Sequence, residues 1–142
     1  RSRGGLMLYC WAAENPDKVR CITGIYPVCN IVSYPGLKRA SGAYGLTAEQ
    51  LETELSKHNP IDRLAPLTKA KVPIFHIHGD KDGAVPLDKN SALIKERYDK
   101  LGGFMTLEIV KGQGHNMWPG WFQSQNLVDF VIKHTKMQPR TP

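Results

Sequence analysis

Three apolar runs with strand character, each separated from the next by dozens of residues, constrain this chain more than any other feature. They are Val19–Val28, Val72–His78 and Met105–Val110. Tight hairpins join antiparallel strands; connections that carry helix-patterned segments are crossovers, and these make a parallel sheet. The intervening segments fit that reading. Gly4 to Asn15 is apolar on nearly every side and stops at Pro16, which predicts a buried helix. Residues 29–46 are rich in Gly, Pro, Ser and Tyr without a clean period and read as loop. Thr47-Ala48-Glu49-Gln50 is a capping-box pattern that opens a polar helix to about Lys57, and Asn59-Pro60 starts a short helical turn. Leu87 to Leu101 is helical by period, with Leu87, Leu93, Ile94, Tyr98 and Leu101 inward and Gly102-Gly103 ending it. Trp121 to Lys136 reads as a closing amphipathic helix with Leu127, Phe130 and Val131 inward, and 137–142 as a frayed tail.

Three strands are few for such a sheet, and the Val19–Val28 strand would present an open apolar edge. The expected architecture is therefore α/β, half of a larger sheet, with self-association through the exposed edge as one consequence. At 142 residues the chain has the size of one domain, and its 41 % hydrophobic and 23 % charged content is that of an ordinary globular protein. No apolar run reaches the roughly eighteen residues of a membrane span. Arg1 is not an initiator methionine, so no secretory signal can be judged and the compartment stays open. The net charge of +6 is scattered over loops and helix faces, with no dense basic run interleaved with aromatics, which argues against nucleic acid as a partner. Cys10, Cys21 and Cys29 are an odd count without metal spacing and read as buried thiols.

Three short motifs carry candidate chemistry. Ser2 opens the first, Arg1-Ser2-Arg3-Gly4-Gly5. A serine at the head of a helix stands where the helix dipole favours developing negative charge, and the Arg3 backbone N–H is a candidate oxyanion donor. Alone, the same residue is an ordinary helix N-cap. The second is His78-Gly79-Asp80-Lys81-Asp82, an acidic turn past a strand end, where parallel sheets present side chains to ligands. Asp80 and Asp82 compete there, and both also suit a turn. The third is Gly112-Gln113-Gly114-His115, a glycine-flanked histidine with the freedom a general base needs. His76 and His78 point to one face of their strand and suit packing and turn hydrogen bonds better than a metal, for which no third ligand has suitable spacing. Tyr26, Trp118 and Trp121 are candidate pocket walls; the tryptophans equally suit packing under the last helix.

With Ser2-Arg3-Gly4-Gly5, Ala13 to Val19, His78 to Pro86 and Gly112 to His115 in that order, the sequence resembles the C-terminal half of the α/β-hydrolase superfamily, in its prolyl-oligopeptidase-like and dienelactone-hydrolase-like branch. The resemblance covers the chain almost end to end. It implies Ser2 as nucleophile, Asp82 rather than Asp80 as acid, His115 as base, and 29–65 as the lid or cap of one partial domain spanning 1–142. It also implies that the strand leading into the serine, the strands before it and a second oxyanion N–H lie outside this sequence.

The first functional expectation is a serine hydrolase acting on small-molecule carboxylic esters through an acyl-enzyme, without metal or organic cofactor, membrane or nucleic acid. A prolyl-oligopeptidase-type peptidase is the alternative within enzymes. A non-catalytic half-domain that pairs with another chain is the alternative outside them.

Overall fold

The computed structural model describes residues 1–136. Its centre is a parallel sheet of three strands, β1 (Ile22–Ile25), β2 (Ile74–Gly79) and β3 (Met105–Val110), ordered β1-β2-β3. The register pairs Ile22 with Ile74 and Ile74 with Met105, so β2 is sandwiched and all six of its residues are buried. The helices are α1 (Gly4–Glu14), α2 (Leu37–Ala40), α3 (Ala48–Thr53), α4 (Leu55–His58), α5 (Ala65–Lys69), α6 (Ser91–Lys100) and α7 (Gln125–Thr135). The expected fold class holds: three parallel strands with flanking helices, a fragment of an α/β-hydrolase fold.

Alternation along β2 sorts the core into two faces. Ile74 packs with Tyr9 of α1, Leu67 of α5 and Ile94 and Tyr98 of α6. Phe75 and Ile77 point the other way, against Trp121 and Phe130 of α7. A third cluster, Ile31, Ala40 and Leu51, sits within the segment between β1 and β2 and touches α1 through Leu6. The capping box forms as the sequence predicts, with the Gln50 N–H donating to Thr47 and the Thr47 N–H to the Gln50 side chain.

Several expectations are corrected. The strand expected over Val19–Val28 shrinks to four residues, because Tyr26 adopts φ 35 in the left-handed region and turns the chain away. Helix α1 is not buried all round: Tyr9, Ala12 and Ala13 face the core, while Met7, Leu8 and Trp11 are 74 %, 60 % and 50 % exposed. Residues 29–46, read as loop, contain α2 and a 3-10 turn over Ser41–Tyr44. The helix expected from Thr47 breaks into α3 and α4 at Glu54. Leu87–Leu101 is likewise interrupted at Asn90, and Leu101 is exposed rather than inward. The helix read from Trp121 starts only at Gln125, after a 3-10 turn over Pro119–Phe122. The tail expected at 137–142 lies outside the described residues. Among those residues, no helix is long and apolar enough to cross a membrane.

Candidate active site

Ser2 lies just ahead of α1 and beside the end of β1. Its N–H donates to the Ile25 carbonyl (3.2 Å) at the end of β1, and its own carbonyl accepts from Val28 (2.8 Å) and Gly5 (2.9 Å). With φ 48, Ser2 lies in the left-handed region that a non-glycine residue rarely occupies. The turn is held tightly: a Cβ on Gly5 would lie 2.5 Å from the Pro27 side chain and 3.0 Å from the Val28 carbonyl. Residue 5 must therefore lack a side chain for α1 to start here. The Arg3 N–H, at the head of α1, takes no backbone hydrogen bond among the described residues.

The other two motifs leave the same end of the sheet, from β2 and β3. They are laced together by Asp80 N–H to Val110 O (3.2 Å), Lys81 N–H to Gln113 O (2.9 Å) and Gly112 N–H to the Asp80 carboxylate (2.6 Å). The two loops approach so closely that a Cβ on Gly79 would sit 2.1 Å from the Gln113 carbonyl oxygen. Asp80, exposed, thus ties the loops, whereas Asp82 is buried and faces the histidine.

The structure brings the three candidate side chains together. Ser2 Oγ lies 2.9 Å from His115 Nε2, and His115 Nδ1 lies 2.8 Å from Asp82 Oδ2. The other Asp82 oxygen accepts the N–H groups of Ala84 (3.0 Å) and Val85 (2.8 Å). An imidazole between a hydroxyl and a carboxylate, with Nδ1–H turned to the carboxylate, leaves Nε2 free to accept the hydroxyl proton. The His115 ring packs against Tyr26, with ring centroids 4.4 Å apart.

Tyr26 and Trp121, the candidate pocket walls, lie in the interior. Both are buried, packed edge to face at 5.3 Å in the cluster under α7. Trp118 remains partly exposed beside Trp121. Sequence reasoning missed Asn116, which organises the loop after His115: its side-chain oxygen accepts from Trp121 Nε1 (2.9 Å) and Trp118 N–H (3.1 Å), while its carbonyl accepts the Tyr26 hydroxyl (2.8 Å). It also missed Asn90, buried, which accepts the Cys29 and Asn30 N–H groups and donates to Pro86 O, joining the acid turn to the chain after β1. Neither carries a sequence signal beyond being a polar residue near a motif. A cleft of about 850 Å³ begins at Arg3 and runs between α1 and the segment after β1, lined by Cys10, Arg39, Tyr44 and Arg63 among others.

Beneath the site lie His76 and His78, fully buried. Burial, and then the neighbouring His78, pushes His76 down to about 3 from an ordinary 6.5. Burial also lowers His78, against the opposing pull of its bond to Val85 and of Asp82. Below pH 6.5 the unfolded chain takes up protons that the fold refuses, so stability falls as pH drops from 6.5 toward 3. For His76 alone the loss reaches about 2 kcal/mol by pH 5, at about 1.4 kcal/mol per pH unit. Urea unfolding at pH 7.5 and pH 5 should show it, with a shallower dependence in His76→Gln; equal stability at both pH values would contradict it.

The comparisons with known proteins agree with this fold. Acylaminoacyl peptidase from Pyrococcus horikoshii superposes with TM-score 0.72 at 19 % identity, covering 99 % of this chain and 24 % of its own. An S-formylglutathione hydrolase from Agrobacterium tumefaciens gives 0.69 at 19 % identity, over 96 % of this chain and 47 % of its own. Est1E from Butyrivibrio proteoclasticus gives 0.66 at 17 % identity, over 96 % and 60 %. The chain thus spans roughly a quarter to three fifths of the length of these structures. No curated protein matches it. The family model described as the prolyl oligopeptidase family matches residues 1–137, and with that span of match the chain belongs to the prolyl oligopeptidase family of hydrolases.

Proposed function

We propose that this chain carries the catalytic residues of a serine hydrolase that cleaves small-molecule carboxylic esters. The observation behind the reading is the unbroken series from Ser2 Oγ to His115 Nε2 (2.9 Å) and from His115 Nδ1 to Asp82 (2.8 Å), which joins the head of α1 to the loops after β2 and β3. Ser2 Oγ attacks the acyl carbon while His115 Nε2 takes its proton, and Asp82 holds the ring and the imidazolium that forms. The carbonyl oxygen gains negative charge beside the Arg3 N–H and the N-terminal end of α1. His115 then returns the proton to the departing alkoxide, and water, activated by the same imidazole, releases the acid from the acyl-enzyme. Balanced in this way, the reaction requires no metal or organic cofactor. Residues 29–65, with their own apolar cluster, act as a cap over the cleft that starts at Arg3.

Family membership and the likeness to an acylaminoacyl peptidase favour peptide-bond cleavage as a second reading. Assays on the protein carrying residues 1–142 in its natural sequence context separate the two. Short activated esters should be hydrolysed and acylaminoacyl or prolyl peptides left intact. Cleavage of such peptides at comparable kcat/KM would transfer the assignment to a peptidase. The edge of β1, unpaired among the described residues, and the exposed Met7, Leu8 and Trp11 favour, as a non-enzymatic alternative, a half-domain that associates with another chain. That alternative predicts oligomers and no reaction of Ser2 with a fluorophosphonate.

A further inference from the structure

A chain of buried hydrogen bonds enters the candidate site from below. Tyr9 of α1 meets His76 Nε2 at 2.8 Å, and His76 Nδ1 meets the Ser91 hydroxyl of α6 at 2.9 Å. The same hydroxyl meets His78 Nδ1 at 2.7 Å. His78 Nε2 in turn lies 2.9 Å from the Val85 carbonyl and 3.3 Å from Asp82 Oδ2, the oxygen that also faces His115. Tyr9, His76, Ser91 and His78 are all buried.

Only one ordering of protons satisfies this series. The Val85 carbonyl and the Asp82 carboxylate have nothing to donate, so His78 Nε2 must carry the hydrogen, bonded to the Val85 carbonyl with Asp82 Oδ2 3.3 Å away. A neutral His78 then has its lone pair on Nδ1 and accepts the Ser91 O–H. The Ser91 oxygen accepts His76 Nδ1–H, which leaves His76 Nε2 to accept the Tyr9 O–H. Burial, which holds both imidazoles below their ordinary pKa, keeps each ring neutral, with one donor and one acceptor. Every link points toward the carboxylate, and such aligned series strengthen one another.

We propose that His78 is a positioning residue for Asp82: its Nε2–H holds the oxygen that orients His115, and the Tyr9–His76–Ser91 series fixes His78 in the tautomer able to do so. Asp82 is thereby held by Ala84 and Val85 N–H on one oxygen and by His115 and His78 on the other. This rests on the serine-hydrolase reading for its catalytic consequence but not for its geometry. It gives a reason for two histidines on a strand that otherwise packs in apolar surroundings, since an unpaired imidazole there would cost far more than a leucine.

The test uses the protein in its natural context and two readouts. Long-range 1H–15N correlation spectra near pH 7 should show His78 as the Nε2–H tautomer and His76 as Nδ1–H; the opposite tautomer, or a doubly protonated His78, overturns the proposal. The low-field Nδ1–H resonance of His115 should move in His78→Leu and return toward its wild-type position in His78→Gln, whose amide offers an N–H where Nε2 stood. In turnover, His78→Leu should lower kcat by up to about 10²-fold with KM nearly unchanged, the pattern of lost alignment, and His78→Gln should recover most of it. Equal loss in both variants, or a change confined to KM, overturns the proposal. If His78→Leu does not fold, Ser91→Ala serves instead: it leaves His78 in place, removes the hydroxyl that sets its tautomer, and should lower kcat about tenfold. Wild-type protein with the expected tautomers but no Ser2-dependent hydrolysis would overturn the hydrolase reading while leaving the hydrogen-bond assignment standing.

Discussion

Ser2→Ala should abolish ester hydrolysis and fluorophosphonate labelling together, with kcat falling by about 10⁶-fold, the scale on which serine hydrolases lose rate when the nucleophile goes. In the proposed mechanism the hydroxyl forms the acyl bond, and no neighbour replaces it. Oxyanion donors and binding leave only a small residue of catalysis over water. His115→Ala should fall as far, because Ser2 Oγ has no other base within hydrogen-bond reach among the described residues. The pair should also be grossly non-additive: once either is gone, removing the second should cost almost nothing more. Labelling followed by peptide mapping checks the first point and steady-state rates the others. Activity surviving in Ser2→Ala would remove Ser2 from the chemistry.

Asp82→Asn should lower kcat by about 10⁴-fold and, unlike Ser2→Ala, should also destabilise the fold. Both oxygens of Asp82 already face donors, Ala84 and Val85 N–H on Oδ1 and His115 Nδ1 on Oδ2, with His78 Nε2 3.3 Å from the same oxygen. An asparagine has one oxygen and one NH2 group. Turned one way, its NH2 faces two backbone N–H groups; turned the other, it faces His115 and His78 and drives His115 into the tautomer that cannot accept the Ser2 proton. Either arrangement leaves buried donors opposed, at about 1–3 kcal/mol for each unsatisfied group. Urea unfolding and kcat measured on the same preparation separate the two effects. A variant as stable as wild type and only mildly impaired would mean that Asp82 does not govern the His115 ring.

How much of this could be read beforehand depended on range along the chain. The capping box at Thr47 and Gln50 is a contact between residues three apart and was legible outright. β3 spans Met105–Val110 as its apolar run predicts, because glycines and a turn bound it on both sides. The strand at Val19 is shorter than its apolar run predicts: apolar residues continue past Ile25, but the backbone reversal at Tyr26 beside Ser2 has no signature in residue type. The exposure of Met7, Leu8 and Trp11 was likewise hidden, since apolar character on every side of a helix implies cover that these residues lack. In the candidate site, each motif suggested its own residue, yet distances among Ser2, Asp82 and His115 depend on sheet register and on the Gly79–Gln113 approach. The alternation rule put His76 and His78 on one face, but their partners Tyr9 and Ser91 come from other elements, α1 and α6.

The backbone angle at Ser2 carries an evolutionary consequence. A residue held at φ 48 costs the native state about 1–3 kcal/mol unless it is glycine. Laboratory selection of this protein for heat resistance alone would therefore favour glycine at position 2, and on the proposed mechanism the winners would be hardier and inert. On the proposed mechanism, serine at this angle trades thermal stability for the nucleophile.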